Sequence, residues 1–586
     1  MIDRANSNQP FFQAEPPSGV ARWLPGLAVL RHYKLAWLSR DVMAGLVLTS
    51  ILVPVGMGYA LAAGVPAIYG LYATIVPLLA YAVFGPSRIL VLGPDSALSA
   101  LIVATILPLA TGDPARAAAL AGMLAVMSGC LCLLAGFSGF GLVTELISKP
   151  IRYGYLNGIA LTVLTGQLSR IFGFSVTGDS FVQTGLGFMH ELLHGASNWT
   201  AAAIGLGSLA VMLGFRRWVP KVPGILIAVV GATLAVWYFD LADRAGVAVV
   251  GVLPLGLPAF HVAGISLDEF NRLLSGAVAI AAVSFADLSV LSRTYALRGS
   301  YAVDSNQELI ALGAANIATG LLQGFPVTSS SSRTPVAESA GARTQLAGVV
   351  GALCIALLLI AAPTLLQDLP YAALGAIVIF ACFGLVEIRG VLHLYRLSRG
   401  EFMLSMVCLS GVVLLGVIQG IFIAIGLALL AFVWRAWRPY DAVLGRVDGM
   451  KGYHDITRHP EARQIPGLVL FRWDAPLFFA NAEIFREHVL SAVANATTPA
   501  RWIVVVAEPV TDVDTTAADM LSDLDKILAE AGIELCFAGM KGPVKDRLKH
   551  YGLFNKIGVE SFFPTVGQAV NQYLKLHQVE WDDWDD

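Results

Sequence analysis

Residues 324–343 read G-F-P-V-T-S-S-S-S-R-T-P-V-A-E-S-A-G-A-R, a hydroxyl-rich and charged stretch lying between hydrophobic runs. Such a segment must line a cavity, because lipid offers its backbone and side chains no partner. Pro326 does not fit a helix interior, so the stretch predicts an extended lead-in and a helix beginning near Ser329. Ser329, Ser330, Ser331 and Ser332 then fall in the first turn. Free N–H groups and the positive end of the dipole favour an anion there, and Arg333 adds a full positive charge. Interrupted helices of this kind hold the substrate in secondary transporters. The competing reading is a serine-rich loop between spans.

The surroundings require a membrane protein. Of 586 residues, 56% are hydrophobic and only 13% charged, with a mean hydropathy of +0.70. This is too apolar for a chain soluble throughout, so a polytopic α-helical membrane protein is expected. A net charge of −3 gives no electrostatic case for nucleic acid as a partner. Five of the six cysteines lie in apolar runs, which argues for buried thiols rather than a disulfide framework or zinc site. Residues 1–21 lack the apolar core of a cleavable signal, so the first span is expected to act as its own insertion signal.

From Val42 to Trp437 the hydrophobic runs parse into about fourteen spans of membrane length. Arg22, Arg31, Lys34 and Arg40 precede them and place the N-terminus in the cytoplasm. With that start, Arg88, Lys149, Arg152, Arg216, Arg217, Lys221, Arg293, Arg298, Arg343, Arg389, Arg396 and Arg399 all fall on the same side. An even span count returns the C-terminus to it. The expected location is the cell (inner or plasma) membrane. Residues 1–41 form a cytoplasmic segment, 42–437 the transmembrane unit, 438–465 a linker and 466–586 a cytoplasmic α/β domain with an acidic tail.

A second interruption is found in the first half of the chain. The first span is read as containing I-L-V-P-V-G-M-G-Y-A-L-A-A-G-V-P-A-I-Y-G-L-Y, and a little later L-V-L-G-P-D-S-A-L-S-A sets Gly93 and Pro94 before Asp95, Ser96 and Ser99. Counted from Val42 and from Arg272, the breaks at Asp95 and Ser329 lie at matched depth. Matched interruptions are the trace of an inverted repeat whose site lies where the two half-helices face each other. The alternative for Asp95 is a loop with a helix cap. Asp287 sits inside the apolar run S-G-A-V-A-I-A-A-V-S-F-A-D-L-S-V-L-S, where a carboxylate is costly unless protonated, paired or wetted, so function is its default reading. A hydrogen bond to Ser284 near the span's cytoplasmic end is the plainer one.

Beyond Trp437 the apolar runs shrink to strand length and charges become frequent. Alternation predicts strands at 467–473, 501–507 and 533–539, helices at 481–493, 515–530 and 543–550, and a last helix from Pro564, a small α/β layer fold. Asp514 reads as the N-cap of the helix at Thr515. His190 and His194, one turn apart, have the spacing of a metal pair but no evident third ligand, so a surface helix is expected and no metal or cofactor is.

These motifs together resemble the SulP family of anion permeases. The resemblance rests on V-P-V-G-M-G-Y-A-L-A-A-G-V-P-A-I-Y-G-L-Y, on G-P-S-R followed by L-G-P-D-S-A, on G-F-P-V-T-S-S-S-S-R-T, and on a C-terminal region similar to a STAS domain. It implies a seven-plus-seven inverted repeat with a core domain moving against a gate domain, and dimers involving the cytoplasmic domain. It also implies an anion site at Val55, Tyr59, Asp95, Ser96, Ser330, Ser331, Ser332 and Arg333. Many relatives have Gln where this chain has Val55, and an apolar or small residue where it has Asp95. A Glu of proton-coupled relatives corresponds to Asp287, which implies a proton-coupling role, with Asp95 in second place. The family's D-[ST]-[ST]-G loop becomes Asp514-Thr515-Thr516-Ala517, which makes Thr515 a candidate regulatory phosphorylation site.

The expected function is thus secondary active transport of a small inorganic anion, sulfate first, with proton symport. Bicarbonate or a dicarboxylate with sodium is the rival transport reading. A non-transporting sensor signalling through the soluble domain is the rival from another class, and the intact serine cluster with Arg333 argues against it. No nucleophile–base constellation marks an enzyme.

Overall fold

The computed structural model describes residues 24–581, apart from 32, 140–148, 175, 177–180, 220–221, 255 and 300. The last five residues of the acidic tail and residues 1–21 of the N-terminal segment lie outside this range. The chain divides between Ala428 and Leu429 into two compact units.

In the membrane unit a short helix α1 (Pro25–Arg31) precedes α2 (Leu38–Ala62) and α3 (Ala67–Phe84). The run quoted as the first span is therefore two helices. Gly64, at φ +82°, and Pro66, which cannot donate to a continuing helix, make the turn between them. Strand β1 (Leu92–Gly93) leads into α4 (Ser96–Ala110), followed by α5 (Pro114–Phe137), α6 (Lys149–Ile171), α7 (Phe181–Leu193), α8 (Trp199–Trp218), α9 (Gly224–Phe239) and the short α10 (Leu241–Ala245). The second half repeats the order. It has α11 (Leu267–Gly299), α12 (Ser305–Leu321), β2 (Thr328–Ser329) with α13 (Thr334–Ser339), α14 (Leu346–Ala361), α15 (Tyr371–Cys382), α16 (Ile388–Leu397), α17 (Arg399–Leu415) and α18 (Val417–Trp437). Among the described residues six helices are long and apolar enough to cross a membrane, and four shorter apolar ones join them.

Two groups of helices emerge from the packing. One comprises α2–α5 with α11–α14; the other comprises α6, α8, α9, α15 and α17. Within each group backbones approach closely through small residues, the packing mode expected where lipid removes the hydrophobic drive between helices. The most extensive pairing is α5 with α12, where a Cβ on Gly320 would stand 2.3 Å from the Gly122 carbonyl oxygen and one on Gly129 would stand 2.8 Å from that of Gly313.

The second unit is a six-stranded sheet in the order β4-β3-β5-β6-β7-β8. Strands β5 (Leu468–Trp473), β6 (Trp502–Val506), β7 (Glu534–Ala538) and β8 (Phe562–Phe563) run parallel. Helices α19 (Ala482–Ala494), α20 (Thr515–Glu530), α21 (Gly542–His550) and α22 (Leu553–Ile557) cover one face, and α23 (Val566–His577) covers the other. Burial on both faces explains the near-continuous apolar runs of β6 and β7. Residues 438–465, expected to be a linker, instead supply β3 (Asp441–Arg446) and β4 (Tyr453–Asp455), which pair antiparallel and extend the sheet past β5. The charges at both ends of D-A-V-L-G-R hid a strand whose burial comes from pairing on both sides rather than from its own composition.

The contact at Gly320 yields a test of the scaffold. Gly320→Val is expected to destabilise the membrane unit by about 1–3 kcal/mol through overpacking, read as a lower unfolding temperature in detergent. Gly231→Val, at a position with nothing within 4 Å of an added Cβ, should leave that temperature unchanged.

Candidate functional site

The two interruptions meet. β1 and β2 pair antiparallel, Leu92 opposite Ser329 and Gly93 opposite Thr328, so the two broken spans run past each other in opposite senses. Ser330 N–H extends the ladder by donating to the Val91 carbonyl (3.0 Å), and Val91 N–H donates to Thr334 Oγ1 (3.1 Å). Asn316 on α12 holds the lead-in on its other edge: its Oδ1 accepts from Val327 N–H (2.8 Å) and its Nδ2 donates to the Val327 carbonyl (3.0 Å). This pairing corrects the expected helix start at Ser329. The backbone of Thr328–Ser330 is engaged in the strand ladder, and α13 begins only at Thr334, with six residues and Arg333 as its N-cap. The serines therefore precede the helix instead of forming its first turn.

Arg333 is 1% exposed. Its Nε donates to Ser330 Oγ (2.8 Å), and its Nη2 donates to the Pro94 carbonyl of the opposite interruption. Its Nη1 is buried with no hydrogen-bond partner among the described residues. The guanidinium lies over Gly93, where an added Cβ would stand 2.9 Å from Nη1. Nearby, Ser329 Oγ and Ser284 Oγ are also buried without partners. A buried N–H or O–H left unpaired is costly, and one on a cation most of all. Three such groups beside one strand pair form a site set up for an acceptor from outside the chain.

The remaining expected residues are distributed unevenly. Val55 and Tyr59 on α2, and Ser96 at the start of α4, are buried. Asp95 is the N-cap of α4, its Oδ1 accepting from Ala97 N–H (3.0 Å). That cap accounts for its position, and among the described residues it makes no ion pair with Arg333. Ser331 and Ser332 are exposed at the turn, Ser332 lying 3.2 Å from Ser330 Oγ.

Asp287 on α11 faces Arg152 of α6 across the boundary between the two helix groups, at 3.7 Å. The expected bond to Ser284 is not made, since Ser284 Oγ has no partner. The Tyr155 hydroxyl, one turn along α6 from Arg152, is buried and unpartnered. A second bridge joins the groups at the far end of α6, where Arg170 donates to the Leu61 carbonyl at the C-terminus of α2 and to Gln167 Oε1 (3.0 Å).

Three buried polar clusters went unread in the sequence: Asn316, Glu308 and Asp41. Glu308 accepts from Tyr81 Oη (2.5 Å) and from Ser87 Oγ. Asp41 accepts from Arg343 N–H (2.6 Å), Thr344 Oγ1 (2.7 Å) and Tyr33 Oη (3.1 Å). Glu308 and Asp41 each tie a helix to a loop more than 200 residues away, whereas Asn316 ties α12 to the lead-in that follows it. A polar side chain within or at the edge of an apolar run was the only available signal. In the C-terminal unit Asp514 caps α20 through Ala517 N–H (2.8 Å) and accepts from Phe479 N–H (2.8 Å), leaving Thr515 exposed at the helix start. His190 and His194 stack with ring centroids 4.1 Å apart, and no group of three potential metal ligands occurs among the described residues.

Comparison with known proteins agrees with this architecture. The model of the sulfate permease family matches residues 38–408, and that of the STAS domain matches residues 459–569. The chain is 39% identical over 560 residues to "Probable sulfate transporter Rv1739c" of Mycobacterium tuberculosis, covering 96% of this chain and 100% of the relative. It is 33% identical over 487 residues to human "Solute carrier family 26 member 6", covering 79% of this chain and 64% of the relative. Among solved structures, the overall structure of SLC26A9 superposes with a TM-score of 0.89 at 24% identity, covering 95% of this chain and 94% of the other. The transmembrane domain of the cyanobacterial bicarbonate transporter BicA gives 0.58 at 21% identity, covering 68% and 98%. The fold is a seven-plus-seven inverted repeat of membrane spans followed by a C-terminal α/β domain. With one family model spanning most of the chain and the second its end, this multi-pass membrane protein belongs to the sulfate permease family and carries a STAS domain.

Proposed function

We propose that the protein is a secondary active transporter of a small inorganic anion, sulfate first, coupled to protons. The observation that carries this reading is Arg333: a buried guanidinium, aimed by Ser330 and Pro94, with Nη1 unpartnered between two antiparallel interruptions. An oxyanion supplies the missing acceptor, and the Ser329 and Ser284 hydroxyls offer further donors. Relatives described as sulfate transporters support the choice of anion. Alternating access follows as motion of the α2–α5 and α11–α14 group, the core, against the α6, α8, α9, α15 and α17 group, the gate. The protein works as a homodimer through its soluble unit, in the cell membrane, with both termini in the cytoplasm.

The coupling residue is Asp287, with Asp95 secondary. Ionised, Asp287 holds Arg152 and ties core to gate; protonated, it loses the ion pair and releases the core to move. Anion and proton then favour each other's binding, by reciprocity. Phosphorylation of Thr515 would place a dianion at the α20 N-terminus, beside the Asp514 carboxylate that already caps it.

Labelled sulfate uptake by proteoliposomes under proton and sodium gradients tests the whole reading. Uptake of bicarbonate or succinate in its place, driven by sodium, would overturn it. Arg333→Gln is expected to weaken sulfate binding about ten- to hundredfold, the worth of about 1.5–3 kcal/mol for a charged hydrogen bond. Ser330→Ala, which keeps the charge and loosens its aim, should weaken binding by a smaller factor. Unchanged affinity in both variants would put the site elsewhere.

Asp287→Asn should abolish acid-driven accumulation while sulfate binding and exchange persist. Arg152→Gln should move the uptake optimum to higher pH, because losing the neighbouring cation favours the protonated carboxyl. The measurement is initial uptake against external pH. Profiles that overlay the wild type would remove the proton from the mechanism.

A further inference from the structure

Helix α16 differs from the spans in what it leaves uncovered. Its start is pinned to α6 by Glu387 N–H donating to Asn157 Oδ1 (2.8 Å). Gly390 lies against Tyr153 of α6, where an added Cβ would stand 2.7 Å from the ring, and Leu394 is buried. Tyr395 meets Phe402 of α17 edge to face at 5.1 Å between centroids. One side of the helix is thus covered by α6 and α17.

The remaining surface carries two stripes at helical spacing. Ile388, Leu392 and Tyr395 form an apolar one and are 62%, 55% and 54% exposed. Arg389, His393 and Arg396, each one position on and so about 100° round the helix, form a basic one beside it. Arg399 follows at the start of α17. Among the described residues Arg389, Arg396 and Arg399 make no ion pair and no side-chain hydrogen bond. At ten residues α16 is too short to span a bilayer. Its apolar stripe leads into exposed Met403, Val407 and Leu414 of α17, a surface that faces lipid in a membrane-spanning helix.

We propose that α16 lies in the cytoplasmic membrane–water interface and binds the phosphates of acidic phospholipids. The apolar stripe enters the acyl boundary and the unpaired cations reach phosphate depth beside it. Continuity with the lipid-facing side of α17 selects a bilayer over a protein partner, and the absence of an acidic side chain within α16 selects anionic headgroups over neutral ones. Because α16 joins α15 to α17 and is pinned to α6, bound lipid seats that helix group on the inner leaflet. The inference needs the membrane fold and the basic side of the chain, and is independent of which anion is carried.

The test uses full-length protein, delipidated in detergent and re-equilibrated with equal phosphatidylglycerol and phosphatidylcholine, with retained lipid counted by native mass spectrometry. Wild type should retain phosphatidylglycerol preferentially. Arg389→Gln with Arg396→Gln should lower that affinity about 25-fold, at about fivefold per cation. The corresponding double Lys variant, which keeps the charge, should retain it. High salt should weaken the wild-type preference toward that of the Gln variant. No preference in the wild type, or equal retention by the Gln variant, overturns the proposal. So does a change in the monomer–dimer balance of the Gln variant with lipid retention unchanged, which would assign this face to a second copy of the chain.

Discussion

The membrane unit depends on one buried cation. Arg333 is buried, and an isolated charge there would be prohibitive unless the surrounding groups replaced its hydration. They do so from both halves of the repeat, Ser330 from one and the Pro94 carbonyl from the other. Neither half can build this site alone. The antiparallel β1–β2 pairing fixes the register of the two suppliers, and Asn316 closes the free edge of Val327 that would otherwise leave backbone groups unpaired. What is left over, one amino group of the guanidinium and two hydroxyls, is an incomplete solvation shell. On the proposed reading, an anion completes it.

Around that centre the physics is chiefly one of close approach. Glycines on α5 and α12 let backbones touch, so the core group is stiff, and Asp41 and Glu308 fasten its loops from beneath. Polar links between the two helix groups are sparse by comparison. Two of them rest on α6: Arg152 with Asp287 near one end and Arg170 with the α2 C-terminus near the other, about 27 Å apart at helical rise. Any sliding of one group past the other has to break or exchange these contacts. On the proposed reading, a helix anchored at both ends by arginines is where conformation and protonation meet.

Much was legible without coordinates because the membrane narrows the choices. Lipid requires long apolar helices, so the hydrophobic runs and the change of character after Trp437 each had one economical reading, and the breaks at Asp95 and Ser329 stood out against them. The α/β unit was legible for a similar reason: buried parallel strands must be apolar throughout, and Asp514 is a local cap whose role needs only its neighbours. Those are properties of a residue and the few beside it.

What the chain alone could not decide were the pairings between distant residues. In sequence Ser329 resembles a helix start, because the competing strand partner, Leu92, lies far away. Asp287 is visibly costly in an apolar run, yet its partner Arg152 reads as one more basic residue among many. Strand β3 was hidden because its burial is supplied by β4 on one side and β5 on the other. Local sequence determined the kind of most elements and the chemistry that had to be satisfied. The tertiary structure decided which groups satisfy it, because hydrogen bonds and ion pairs across the repeat depend on register and packing that no single segment encodes.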